Sequence, residues 1–78
     1  MPHIVIKTIS GKSPEQLQQA AESAIAAVSK TLGKPEKYFS AAVEEYSFGE
    51  WEGVYNASIK DNDSVLVKPG YTNPVTFE

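Results

Sequence analysis

The stretch that decides how this chain is read is Met1–Ser13, MPHIVIKTISGKS. Pro2 follows the initiator methionine directly. If Met1 is removed, Pro2 becomes the amino terminus and its ring nitrogen becomes a secondary amine instead of an amide. From His3 to Ile9 the residues are mostly β-branched and suit a strand. Pro2, Ile4, Ile6 and Thr8 fall on one face of it, Val5 and Ile9 on the other. Both faces carry apolar side chains, so the sheet is expected to be covered on both sides, by a helix on one and another subunit on the other.

Ser10 and Gly11 break the strand, and Lys12 places a cation at the turn. Ser13 reads as an N-cap, with Pro14 at the first helical position and Gln16 completing a capping box. Leu17, Ala21, Ala24, Ile25, Val28 and Leu32 then recur at helical spacing. Gly33 and Pro35 end the run. A helix over Pro14–Leu32 would be roughly 28 Å long. Tyr38–Tyr46 reads as a second strand, with Phe39, Ala41 and Val43 on one face and Tyr38, Ser40, Ala42 and Glu44 on the other. Strand, helix and strand make a βαβ unit, so the fold class is α/β with parallel strands.

Further along, Ser47–Gly53 reads as a loop or a short helical turn. Val54–Lys60 fits either a short strand or a short helix capped by Asn56. Asp61, Asn62 and Asp63 make a polar turn, and Ser64–Val67 a short apolar segment. The tail after Thr72, with Pro74 and Phe77, is expected to be loosely held.

The chain has 78 residues, which implies a single domain over residues 1–78. So small a core supplies little net stability. There is no cysteine to staple it, and one histidine cannot build a metal site without carboxylate help. Self-association is the remaining route. The net charge is −3, and all seven basic residues are lysines. That balance argues against nucleic acid, which needs clustered Lys and Arg. No apolar run is long enough for a membrane span, and no secretion signal is visible. The expectation is a soluble cytoplasmic protein.

The opening MPHIVIK, the GKS before the helix, the helix length, the second strand and the aromatic after it resemble the 4-oxalocrotonate tautomerase family over Pro2 to about Gly53. The later segment, ending Lys68-Pro69-Gly70-Tyr71, resembles longer bacterial tautomerase-like proteins, which are dimers rather than hexamers. The resemblance implies a β-α-β subunit whose sheet pairs with that of a second subunit. It implies Pro2 as catalytic base for enol–keto tautomerisation of a 2-oxo acid, without metal or cofactor. A homodimer is expected, with a hexamer as the alternative. By the same resemblance Lys12 stands where the family has a carboxylate-binding arginine, Ser40 where it has a second arginine, and Trp51 where it has an aromatic wall. Lysine keeps the charge at position 12 but loses the planar fork of arginine. Ser40 carries no charge. A monocarboxylate with an apolar or aromatic tail, such as phenylpyruvate, therefore suits this chain better than a dicarboxylate. Trp51 would stack on the tail and donate its indole N–H.

The chemistry needs a base that is unprotonated near neutral pH and can return the proton. A free α-amine titrates at about 7.7–8.0. Burial among Ile4, Ile6 and Trp51, or a nearby lysine, would lower the value for a more basic proline amine. An enolate-like intermediate would be stabilised by Lys12, the Trp51 N–H or backbone N–H groups. Each residue also has a structural alternative: Pro2 as a mark of methionine removal, Lys12 as a solvated lysine, Trp51 as interface core. His3 should point away from Pro2, in a packing or surface role. Two rival functions share the fold. One is a dehalogenase or hydratase of unsaturated acids, and the other a non-catalytic small-molecule binding or assembly protein.

Overall fold

Strand β1 forms over His3–Ile9, helix α1 over Pro14–Leu32 and strand β2 over Ser40–Tyr46. The computed structural model describes residues 1–72; the tail after Thr72 lies outside the described residues. β1 and β2 are parallel neighbours in a two-stranded sheet, so the expected βαβ unit is present. Among the described residues no helix is long and apolar enough to cross a membrane.

The β1–α1 junction forms as its residues predict. Gly11 takes φ +132, a backbone region that side-chain-bearing residues rarely adopt. Ser13 Oγ accepts the Gln16 N–H at 3.2 Å, and the Ser13 N–H donates to Gln16 Oε1 at 3.1 Å. The capping box thus satisfies donors that the first helical turn leaves open. At the other end Gly33 adopts the left-handed conformation at φ 66, and its N–H returns to the Ser29 carbonyl.

Helix α1 packs on β1. Leu17, Ala21, Ala24, Ile25 and Val28 are half-buried, while Gln18, Gln19 and Glu22 are exposed. The apolar stripe therefore faces the sheet along most of its length. Leu32, in the last turn, is 55% exposed and lies past the covered part of the stripe. On β1 the even-numbered Ile4, Ile6 and Thr8 are half-buried, whereas His3, Val5 and Lys7 are exposed. The helix covers the first set. The second face, expected to be covered too, carries the exposed His3, Val5 and Lys7 and is covered by no helix or strand among the described residues. His3 pairs there with Ser40 at 2.6 Å, and Lys7 with Glu44 at 3.9 Å. That register leaves Val5 beside Ala42 between two polar pairs.

Strand β2 starts two residues later than the sequence pattern suggests. Pro35 closes a 3₁₀ turn over Glu36–Tyr38 by accepting the Tyr38 N–H at 3.2 Å. Phe39 donates to the Glu36 carbonyl at 2.9 Å, so Tyr38 is spent in the turn and pairing begins at Ser40.

The chain's contacts group into two units, Met1–Glu45 and Tyr46–Glu78. In the second, Ser47 and Glu50 cap one another. The Ser47 N–H donates to Glu50 Oε1 at 2.7 Å, and Ser47 Oγ accepts the Glu50 N–H at 3.1 Å. Helix α2 follows over Trp51–Val54 and continues as a π-helical turn over Tyr55–Ile59. The undecided Val54–Lys60 stretch is thus helical, but Asn56 is inside it and does not cap it. Asn62 instead closes its end, donating from Nδ2 to the Ser58 carbonyl at 2.8 Å. Asp61, at φ 53, turns the chain. Ser64–Val67 forms no strand, and Leu66 and Val67 are almost fully exposed. Val54 is the one buried hydrophobic residue among those described.

Candidate functional site

Pro2 sits just before β1 and is half-buried. Its carbonyl oxygen accepts the Ser40 N–H at 3.2 Å, the bond that ties the start of β1 to the start of β2. Met1 is 97% exposed, so its removal takes no packed side chain from the fold. Pro2 is anchored through its carbonyl, which leaves the ring nitrogen outside the ladder. Ile4 and Ile6 follow it on the helix-covered face.

Ser40 meets Pro2 through the backbone, while its hydroxyl lies 2.6 Å from His3 Nδ1 on the open face of the sheet. The prediction that His3 points away from Pro2 agrees with this pairing. Sequence reasoning did not foresee the His3–Ser40 contact, because it depends on the register of two strands far apart in sequence. A parallel pairing that sets Ser40 against the start of β1 was the one available signal.

Lys12 is exposed between Gly11 and the Ser13 cap, and makes no ion pair with the described residues. It does not meet Pro2 within one chain. Pro2 precedes β1 and Lys12 follows it, and at ~3.3 Å per residue Pro2 and Ile9 are about 23 Å apart. Within a single subunit Lys12 is therefore not beside the Pro2 amine.

Trp51 belongs to the second unit and is half-buried. Its indole Nε1–H donates to the Tyr71 hydroxyl at 2.9 Å, and its ring stands edge-on to Tyr46 with centroids 6.2 Å apart. The donor assigned to a substrate oxygen thus already has a partner, and the ring itself remains for contact. Tyr55 also leans on Tyr71, at 5.8 Å between centroids. Beside these tyrosines lies an open groove of about 650 Å³, bordered by Ile59, Lys60, Asp63 and Lys68. It contains none of the four candidate residues, and its lysines and aspartates offset one another. Among the described residues no His, Asp and Glu side chains group as metal ligands would.

No protein-family model matches the chain. A protein of Xylella fastidiosa named as a probable tautomerase is 33% identical over 73 residues, covering 91% of this chain and 89% of that protein.

The chain belongs to the tautomerase family.

Probable tautomerases of Bacillus cereus and Bacillus anthracis agree with this. Each is 40% identical over 47 residues, or 60% of this chain and 77% of theirs. The assignment is consistent with the 4-oxalocrotonate tautomerase resemblance of the βαβ unit. The relatives' names point to a tautomerase, an isomerase, as the general activity. As a tautomerase-family chain it carries its second-residue proline at the strand end, on a backbone anchor that does not involve the nitrogen.

Proposed function

We propose that this protein catalyses the cofactor-independent enol–keto isomerisation of a small 2-oxo acid of the phenylpyruvate type, with Pro2 as general base once Met1 is removed. The observation that carries this reading is the anchoring of Pro2. A carbonyl-held, half-buried proline at a strand end presents its nitrogen without committing it to the fold. The free amine takes the proton from the enol hydroxyl, leaving an enolate. The resulting ammonium then gives that proton to the adjacent carbon, completing the ketone and restoring the base. Lys12 pairs with the substrate carboxylate, and the Trp51 ring contacts the apolar tail.

In this reading Lys12 is supplied by a second copy, since one chain holds it and Pro2 at opposite ends of β1. Among the described residues the two-stranded sheet leaves an edge of β1 open. Pairing two such edges antiparallel about a two-fold axis sets the Pro2 end of one strand beside the Gly11–Ser13 end of the other. The open face with Val5 and the burial of Val54 alone among the described hydrophobic residues also favour association. A homodimer is the smallest assembly that completes the site.

The test combines mass spectrometry of the purified amino terminus with an ultraviolet assay of phenylpyruvate enol. A Pro2-terminated chain should turn over the enol, and Pro2→Ala should lose that activity while keeping its far-ultraviolet circular dichroism. Full activity in Pro2→Ala would remove Pro2 from the mechanism.

A further inference from the structure

We propose that His3 and Ser40 act together as positioning residues for the Pro2 amine, a role that rests on the tautomerase reading above. Pro2 lies before the first residue of β1, where a strand end tends to fray, and proline offers no ladder N–H to hold it. What holds it is Ser40. The Ser40 N–H grips the Pro2 carbonyl at 3.2 Å, and the Ser40 hydroxyl grips the His3 ring at 2.6 Å. The Pro2–His3 peptide is therefore held at its carbonyl and, through the imidazole, at the residue that follows. With that peptide plane fixed, the main freedom left to the ring nitrogen is rotation about the Cα–C bond of Pro2.

Ser40 is itself fixed from behind. The 3₁₀ turn ends in the bond from the Phe39 N–H to the Glu36 carbonyl, one residue before Ser40. The clamp is thus built on a closed turn. Both side chains of the clamp are exposed, so water can replace their bond at modest cost to overall stability. Its consequence falls on geometry: a base must stay within hydrogen-bond reach of its proton, and a shift of ~1 Å can cost about a hundredfold in rate. Ser40 in this role acts through Pro2 and does not contact the substrate.

The experiment compares Ser40→Val and His3→Leu with the conservative Ser40→Thr and His3→Asn in the enol assay, with Pro2→Ala as control. Loss of the clamp should lower kcat about tenfold with KM within about twofold, and the conservative variants should recover most of kcat. Hydrogen exchange at the Ser40 amide should quicken in Ser40→Val and His3→Leu, while amides within α1 keep their rates. A raised KM at unchanged kcat would make Ser40 a substrate contact and overturn the proposal. Wild-type kinetics, or lost kcat that tracks only the unfolded fraction, would overturn it as well. If Pro2→Ala keeps wild-type turnover, the base reading fails first. If Pro2→Ala is inactive and Ser40→Val is not impaired, the clamp alone fails.

Discussion

Pro2 and Lys12 stand at opposite ends of β1, with the seven residues His3–Ile9 between them. A site that uses both must therefore draw on two chains. Mixing inactive Pro2→Ala subunits with Lys12→Ala subunits should then restore activity, because each mixed dimer contains one site with both native residues. Random exchange should recover about a quarter of wild-type sites in a two-fold dimer. Initial rates after co-expression, at substrate well below the wild-type KM and compared with Lys12→Ala alone, measure this, and no rise above that reference would mean that the two residues do not share a site across subunits.

The charge at Lys12 is expected to act on binding more than on turnover. Lys12→Ala should raise KM for phenylpyruvate about tenfold, the order of a lost charge-assisted hydrogen bond. Lys12→Arg should lower KM, since a guanidinium grips a carboxylate with two parallel bonds. Steady-state kinetics of the pair read this directly. Unchanged constants in both variants would leave Lys12 a solvated lysine.

The turn that carries Lys12 depends on two local devices. Ser13→Ala removes the side-chain acceptor of the Gln16 N–H and should cost about 1 kcal/mol. Gly11→Ala places a Cβ on a residue at φ +132 and should cost about 1 kcal/mol or more, although no neighbouring atom obstructs it. Thermal melts at a fixed protein concentration separate these from any effect on association.

In the second unit the Trp51–Tyr71 bond should be visible spectroscopically. Tyr71→Phe removes the acceptor of the indole N–H and should destabilise by about 1 kcal/mol, with a change in tryptophan emission. Trp51→Phe keeps an aromatic face and should retain KM for an aromatic substrate, whereas Trp51→Ala should raise it. Equal KM values in all three proteins would remove Trp51 from substrate contact.

The helical part of the second unit was more legible than the alternation at Val54–Lys60 suggested. Trp51, Val54, Tyr55, Ser58 and Ile59 recur at helical spacing, and all are at least half-buried. Ser47 and Glu50 also carry the serine-x-x-glutamate pattern of a helix start. Two glycines and the brevity of the run obscured both signals. Ser64–Val67, read as a short apolar segment, is a turn whose Leu66 and Val67 are exposed.

By itself the sequence determined what local chemistry controls. The β-branched run makes β1, and the Ser13–Gln16 box with Pro14 and Gly33 bounds α1 at both ends. The Met1–Pro2 start singles out one nitrogen as a candidate base. These are settled within a few residues of each other, where capping bonds and backbone sterics act. Only the tertiary structure decided that Ser40 serves both Pro2 and His3. That outcome depends on strand register. Register belongs to the pairing of distant segments, which no local run of residues specifies.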